Sequence, residues 1–245
     1  MRIQMRVPLA AAAASLSLAT ALSGCGSSAT GNAIGAPVAA ASSASGSSDV
    51  PTADQLQSAL LAASDLGPDY TAQPGDSSSP TDTTAPTGCS TLTNLMNSAP
   101  SSSPNPAQGP DAQVILQGGQ TGPFVGEFLS ARPQSVLDRN YPSVVNALRG
   151  CQELDFPTGT TQVPFKLSDF DMGAPGTTAK RMTGTVDGVP VNGYLAVNRL
   201  SPTVAMVYLY LEVAGDSPQT AKSYFDQAVT KANSALTGSA SAASV

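Results

Sequence analysis

Two alternating segments on either side of Asp187-Gly188 constrain the fold of this 245-residue chain more than any other feature. Asp-Gly is a preferred dipeptide for two-residue hairpin turns, because both turn positions need positive φ angles. Residues 178–186 and 189–198 therefore predict an antiparallel hairpin, and residues 203–213 predict a further strand with alternating side chains. The residues of this last strand that we expect to face the core are Val207, Leu209, Leu211 and Val213.

Periodicity in the rest of the chain adds three strands and three helices. The additional strands are predicted over residues 112–116, 124–130 and 161–169. Apolar residues at helical spacing predict helices over residues 53–63, from Pro133 to Leu148 and from Pro218 onward. Short connections between strands, without regular alternation of strands and helices, indicate an α+β fold. We expect a mainly antiparallel sheet of about six strands, with helices packed on one side.

Single residues refine these boundaries. Thr52 and Gln55 have the spacing of a capping box at the start of the first helix. Pro142 is expected to kink the second helix or to restart it. Pro164 indicates an edge strand or a bulge. Glu127, in the middle of its strand, is expected on the solvated side or at an edge.

Histidine is absent from the chain, and the formal net charge is −6 at pH 7. The lack of histidine excludes Ser-His-Asp and Cys-His catalytic arrangements and every zinc site that needs an imidazole. An acidic chain with only four lysines is also poorly suited to binding nucleic acid or an anionic lipid surface. We therefore predict no cofactor, no metal and no nucleic-acid partner.

The N-terminal segment has the order of an export signal. Arg2 and Arg6 precede an apolar stretch, residues 7–22, which is too short to predict a membrane span securely. Leu-Ser-Gly-Cys at residues 22–25 resembles the lipobox of bacterial lipoproteins. That resemblance implies cleavage before Cys25, lipidation of its sulfur and anchoring at the extracytoplasmic face of the cell membrane. An ordinary secretory signal with a chance cysteine is the alternative.

Composition divides the rest of the chain. Residues 1–24 are the predicted signal peptide, and loss of its two arginines takes the formal charge from −6 to −8. Residues 25–50 are rich in Ser, Ala and Gly and predict a flexible tether. Residues 51–238 are long enough for a single α+β domain, and residues 239–245 predict a disordered tail.

Two cysteines remain once Cys25 is assigned to lipid. In an exported domain, Cys89 and Cys151 most simply form a disulfide. Two buried free thiols are the alternative. A redox-active pair is disfavoured because the chain contains no Cys-x-x-Cys motif.

The run Leu-Leu-Ala-Ala-Ser-Asp-Leu-Gly-Pro-Asp-Tyr at residues 60–70 resembles the opening of actinobacterial exported sensor-type domains. These are similar to the extracellular part of the kinase PknH, and the resemblance extends over about residues 52–236. It implies a central cleft for an unidentified ligand. Two disulfides are usual in that family, whereas this chain has one cysteine pair, and no ligand residues transfer. The LpqN-like lipoproteins are a second family that the chain resembles.

Two groups of residues are candidates for chemistry. Asp169 and Asp171 could bind a cation or act in acid-base catalysis, although a solvated pair that caps a turn fits the same spacing. Aromatic residues on one sheet face could form a ligand platform, or they could be ordinary strand residues beneath a helix. The candidate platform consists of Tyr194, Tyr208 and Tyr210.

These features favour a membrane-anchored envelope lipoprotein with a non-enzymatic, sensor-like binding domain. Its partner is expected to be a small molecule, a lipid or another envelope protein. Two alternatives stay open. One is an exported hydrolase that uses Asp169, Asp171 or Glu127, and the other is a structural or assembly partner in the envelope.

Overall fold

Eight antiparallel strands form one sheet in the computed structural model, which describes residues 50–73, 89, 109–119, 121–158 and 161–242. Their spatial order is β1-β2-β3-β8-β7-β6-β5-β4, and every neighbouring pair runs antiparallel. The strands are β1 (Tyr70–Gln73), β2 (Asp111–Gly118), β3 (Phe124–Ala131), β4 (Glu153–Thr158), β5 (Thr161–Phe170), β6 (Thr178–Val186), β7 (Val189–Arg199) and β8 (Val204–Val213). The α+β class and the antiparallel sheet are therefore confirmed.

The sheet has two more strands than the sequence predicted, and both lie at its edges. The edge strand β1 has only four residues, and β4 contains Pro157. An edge strand pairs on one side only, so it tolerates proline and needs little apolar alternation. Pro164 fits the same rule, because it pairs with Asp155 of β4 whereas pairing with β6 begins at Lys166.

The predicted hairpin between β6 and β7 is confirmed. Asp187 has φ 50° and Gly188 has φ 80°, as a two-residue turn of this kind requires. Val186 then lies opposite Val189, and the pairing continues along both strands. A short local signal was sufficient here because the turn itself fixes the register.

The helices are α1 (Ala53–Ala59), α2 (Ala63–Leu66), α3 (Gln134–Gly150) and α4 (Pro218–Ala242). The capping box of α1 is confirmed, with Gln55 N donating to Thr52 Oγ1 at 3.3 Å and Thr52 N to Gln55 Oε1 at 2.8 Å. Pro142 lies inside α3 without restarting it. Helix α4 continues to Ala242, four residues into the predicted tail.

Helices cover both faces of the sheet, so the prediction that they pack on one side was wrong. The tyrosine face carries Tyr194, Tyr208 and Tyr210 and packs against α1 and α4 through residues such as Leu56 and Phe225. The opposite face, here called the α3 face, packs against α3. Leu148 of α3 packs there against buried residues of the sheet that include Leu154, Phe165, Leu167, Met182, Leu195 and Val197.

This arrangement places the predicted aliphatic set of β8 against the core of the α3 face, and it buries the other set more deeply. The buried residues of β8 are Val204, Met206, Tyr208 and Tyr210, whereas the predicted core set of Val207, Leu209, Leu211 and Val213 is half-buried on the α3 face. Apolarity favoured the aliphatic set, but a tyrosine buries a large ring once its hydroxyl has a partner. Both sets of β8 side chains therefore pack against apolar neighbours.

Cys89 and Cys151 lie together at the end of α3, with Cα atoms 5.6 Å apart and sulfur atoms within bonding distance. All the described helices and strands belong to one compact unit. Among the described residues, no helix is both long and apolar enough to cross a membrane. Cys25 and the predicted signal peptide lie outside the described residues.

Candidate functional site

The three candidate platform tyrosines lie on one sheet face, as expected, but they are buried. Tyr194, Tyr208 and Tyr210 are each at most 1% exposed, because α4 packs over them. Phe225 of α4 contacts the Tyr208 ring with a centroid distance of 5.3 Å. An open aromatic platform is therefore not formed, and these residues belong to the core beneath a helix.

Tyr194 donates its hydroxyl proton to the segment that leads into α4, Tyr208 donates to α4 itself, and Tyr210 donates to Glu212 on its own strand. Burial is the main cause that raises the pKa of Tyr194 and Tyr210 above the usual range, and nearby carboxylates reinforce it. The neutral phenols therefore act as fixed donors. The acceptors are Asp216 Oδ1 at 2.5 Å from Tyr194, Ala221 O at 3.2 Å from Tyr208 and Glu212 Oε2 at 3.4 Å from Tyr210.

A groove runs between α2 and the outer side of α4. It has a volume of about 730 Å³ and is open to solvent, and we call it the α4 groove. Its lining mixes two lysines and two aspartates with hydroxyl and amide side chains. The lining residues are Leu61, Asp65, Gln219, Lys222, Ser223, Asp226, Gln227, Thr230 and Lys231.

An ion pair joins the two sides of the α4 groove. Lys231 Nζ lies 2.6 Å from Asp65 Oδ2, and both side chains are about one third exposed. Burial opposes ionisation of Asp65, but the Lys231 ammonium and the Ala62 N–H outweigh it and hold the pKa of Asp65 below its usual range. At the other end, Lys222 Nζ donates to the Asp171 carbonyl at 2.9 Å.

Glu127 lies directly beneath this region, and its predicted solvated position was wrong. Its side chain is only 2% exposed, on the tyrosine face of β3 opposite Tyr208. Oε2 accepts the Leu61 N–H at 2.8 Å, whereas Oε1 has no hydrogen-bond partner. A buried carboxyl oxygen without a partner is energetically costly, and such groups concentrate at functional sites.

The contact between Glu127 and Leu61 explains why the helix predicted over residues 53–63 is interrupted. Helix α1 ends at Ala59, and α2 begins at Ala63. In a continuous helix the Leu61 N–H would donate to a carbonyl four residues earlier, but it donates to Glu127 instead. Leu60 is extended at φ −68° and ψ 153°, which lets both Leu60 and Leu61 enter the core.

Burial also changes the acidity of Glu127. Desolvation is the largest cause and raises the pKa of this carboxyl to about 7, partly offset by the Leu61 N–H and by the positive charge of Lys231. Asp65 acts in the opposite direction to Lys231, since its negative charge disfavours ionisation of Glu127. Glu127 is therefore poised to change its charge near neutral pH.

Glu127 lies far from the two aspartates that were proposed with it for a hydrolase. Phe170, which Asp169 and Asp171 flank, lies in register with Glu127 but four strands away, a separation of about 19 Å at ~4.8 Å per strand. Asp169 pairs with Lys180 at 2.6 Å, and Asp171 accepts the Gly173 N–H at 2.8 Å. Glu127 therefore does not form a carboxylate pair with either aspartate.

These contacts agree with the turn-capping interpretation of the two aspartates. Asp171 Oδ1 caps a turn at the end of β5, and the Asp169 side chain is 92% exposed. In the part of the chain that the structure describes, no group of three or more His, Cys, Asp or Glu side chains is placed to hold a metal ion.

The sequence reasoning missed both the α4 groove and the burial of Glu127. A signal for Glu127 was present, because Val125 and Leu129 share its face and are both fully buried. The groove left no comparable signal, since its residues form the ordinary polar side of an amphipathic helix. Only the packing of α2 beside α4 turns that side into a concavity.

Comparison of the chain with protein-family models, with curated proteins and with solved structures found no match.

Proposed function

We propose that this chain is a membrane-anchored lipoprotein of the bacterial cell envelope whose α+β domain binds a partner without catalysing a reaction on it. The partner is a small molecule, a lipid or another envelope protein. The proposal includes an extracytoplasmic location and a sensor-type role like that of the PknH-like domains. It combines the N-terminal motif at Cys25 with the geometry of the domain.

The observation that carries the binding role is the α4 groove. Its volume of about 730 Å³ lies within the ~300–1,000 Å³ range of small-molecule sites. Most of its lining residues are polar or charged, although they expose more apolar than polar surface, and the groove is open to solvent, so it suits a small molecule, a lipid headgroup or a protein surface. Lys222 and Lys231 supply positive charge there, whereas Asp65 and Asp226 supply negative charge.

A direct test isolates the full-length lipidated protein from envelope membranes in mild detergent. Native mass spectrometry and crosslinking then identify what accompanies it. We expect a bound molecule or an envelope protein that is lost in Lys222→Glu, which reverses a charge in the groove. Lys166→Glu is the matched control, because Lys166 is an exposed lysine on β5 outside the groove.

Two outcomes would count against this proposal. If neither a ligand nor a crosslinked partner accompanies the wild-type protein, the binding role fails. If a partner is present and persists in Lys222→Glu, the groove is not its site.

The anchor is tested separately. We expect wild-type protein to partition into the detergent phase and to carry the mass of acyl chains, and Cys25→Ser to lose both properties. An unlipidated wild-type protein would instead support the ordinary secretory signal.

A further inference from the structure

Glu127 makes the polar link between β3 and the connection that joins α1 to α2. The Leu61 N–H donates to its Oε2 at 2.8 Å across 66 residues of sequence. Leu60 and Leu61 are each 3% exposed, so the connection is packed into the core on both sides of this hydrogen bond. Oε1 is buried without a partner, which leaves the carboxyl group only half satisfied.

The charged and titratable groups around Glu127 do not neutralise it. Asp65 on α2 disfavours its ionisation, and Lys231 on α4, which favours it, is already paired with Asp65. Tyr208 on β8 directs its hydroxyl to the Ala221 carbonyl. Among the described residues, no cation lies within ion-pair distance of Glu127.

We propose that Glu127 is a proton-dependent switch: residues 60–62 stay packed on β3 while its carboxyl is neutral, and they loosen when it ionises. An ionised carboxylate needs several donors, and this site supplies one. Opening of the connection admits water to Oε1 and so relieves the cost of a buried charge. Burial raises the pKa of this carboxyl to about 7, which places the transition near neutral pH.

The switch also affects the α4 groove. Leu61 and Asp65 form the α2 side of that groove, so loosening of residues 60–62 changes its shape. This consequence rests on the proposed function, because it requires that the groove binds a partner. The movement of residues 60–62 does not depend on any partner.

Amide hydrogen exchange of the full-length protein, measured between pH 5 and pH 9, tests the switch. Rates for residues 60–62 are expressed as protection factors, which removes the intrinsic pH dependence of exchange. In wild type we expect protection to fall by at least about tenfold as pH rises through 7, the effect of one pKa unit. Glu127→Gln keeps an acceptor for the Leu61 N–H but cannot ionise, so its protection should be independent of pH.

Two references make the result decisive. Glu212→Gln removes a different strand carboxylate, which accepts a hydrogen bond from Ser217 and not from Leu61. This variant should retain the wild-type dependence of protection on pH. Leu195, buried in β7, reports unfolding of the whole domain in wild type, so residues 60–62 whose protection declines while staying below that of Leu195 mark a local opening, even if the Glu127 variant fails to fold.

Constant protection of residues 60–62 in wild type would overturn the proposal, as would an unchanged decline in Glu127→Gln. A wild-type protein that shows the decline but binds no partner would retain the switch and lose only the proposed function.

Discussion

The two faces of the sheet differ in how fully their buried ionisable groups are hydrogen-bonded. On the α3 face, the ammonium of Lys180 donates to Asp169 Oδ1 at 2.6 Å and to the Arg149 carbonyl at 3.0 Å. On the tyrosine face, the carboxyl of Glu127 accepts one hydrogen bond and leaves Oε1 without a partner. Both residues are at most 5% exposed, so they differ in their hydrogen-bond partners and not in their burial.

This difference indicates that the two faces have different roles. The α3 face is aliphatic, its charge is paired, and the Cys89–Cys151 pair closes it at the end of α3. The tyrosine face retains an unpaired carboxyl oxygen next to the segment that lines the α4 groove. A binding protein that changes shape in response to its surroundings is expected to place the segment that moves next to buried polar groups whose hydrogen bonding is incomplete.

Loss of packing between α4 and the tyrosine face should give the largest loss of stability. Phe225 of α4 is fully buried against Tyr208, so Phe225→Ala should lower the free energy of unfolding by about 3–5 kcal/mol. Urea unfolding followed by circular dichroism measures the loss. Asp226→Ala, an exposed neighbour, should change stability by no more than ~0.5 kcal/mol. A similar loss in both variants would show that α4 does not hold the tyrosine face closed.

On the α3 face, the corresponding test removes the covalent link between Cys89 and Cys151. Cys89 and Cys151 are 62 positions apart, and replacing both with serine should cost about 2–4 kcal/mol, since the unfolded chain gains freedom. The loss is measured as a shift of the urea midpoint, with reduced wild type as the matched sample. Equal stability of the double variant and oxidised wild type would support the alternative of two free thiols.

The two faces should also differ in how they make the free energy of unfolding depend on pH. The folded pKa of Glu127, about 7, lies above its ordinary value of 4.5, so the folded state binds this proton more tightly than the unfolded state. Its contribution is therefore complete below pH 4.5 and is lost as pH rises through 7, a change of about 3 kcal/mol.

Unfolding experiments at pH 5 and pH 8 measure this change. Glu127→Gln should reduce the difference between the two pH values, because an amide side chain cannot ionise. An undiminished difference in Glu127→Gln would assign the pH dependence to other groups.

The smallest effect is expected at the surface. The Asp65–Lys231 pair is about one third exposed, so Lys231→Gln should cost no more than about 0.5 kcal/mol of stability. Thermal unfolding in low and high salt measures this effect, which should shrink as salt screens the pair. A loss above ~2 kcal/mol would mean that this ion pair, and not Glu127, holds α2 in place.

Local signals were sufficient for some parts of the fold. The Asp187-Gly188 turn and the capping box at Thr52 were predictable because each is decided by residues within a few positions of one another. The edge strand β4 was missed because its acidic residues and Pro157 give weak alternation, and its pairing depends on β5. Lipidation at Cys25 and the resemblance to PknH-like domains stay predictions.

The sequence by itself determined most strands and helices, the class of the fold and the spacing that brings Tyr194, Tyr208 and Tyr210 onto one face. Periodicity states which side chains share a surface, but it does not state what covers that surface. Tertiary structure decided that both faces are covered, that the tyrosines are buried and that the first helix breaks at Leu60. The physical reason is that these outcomes depend on contacts between distant residues, such as the hydrogen bond from Leu61 to Glu127 across 66 positions.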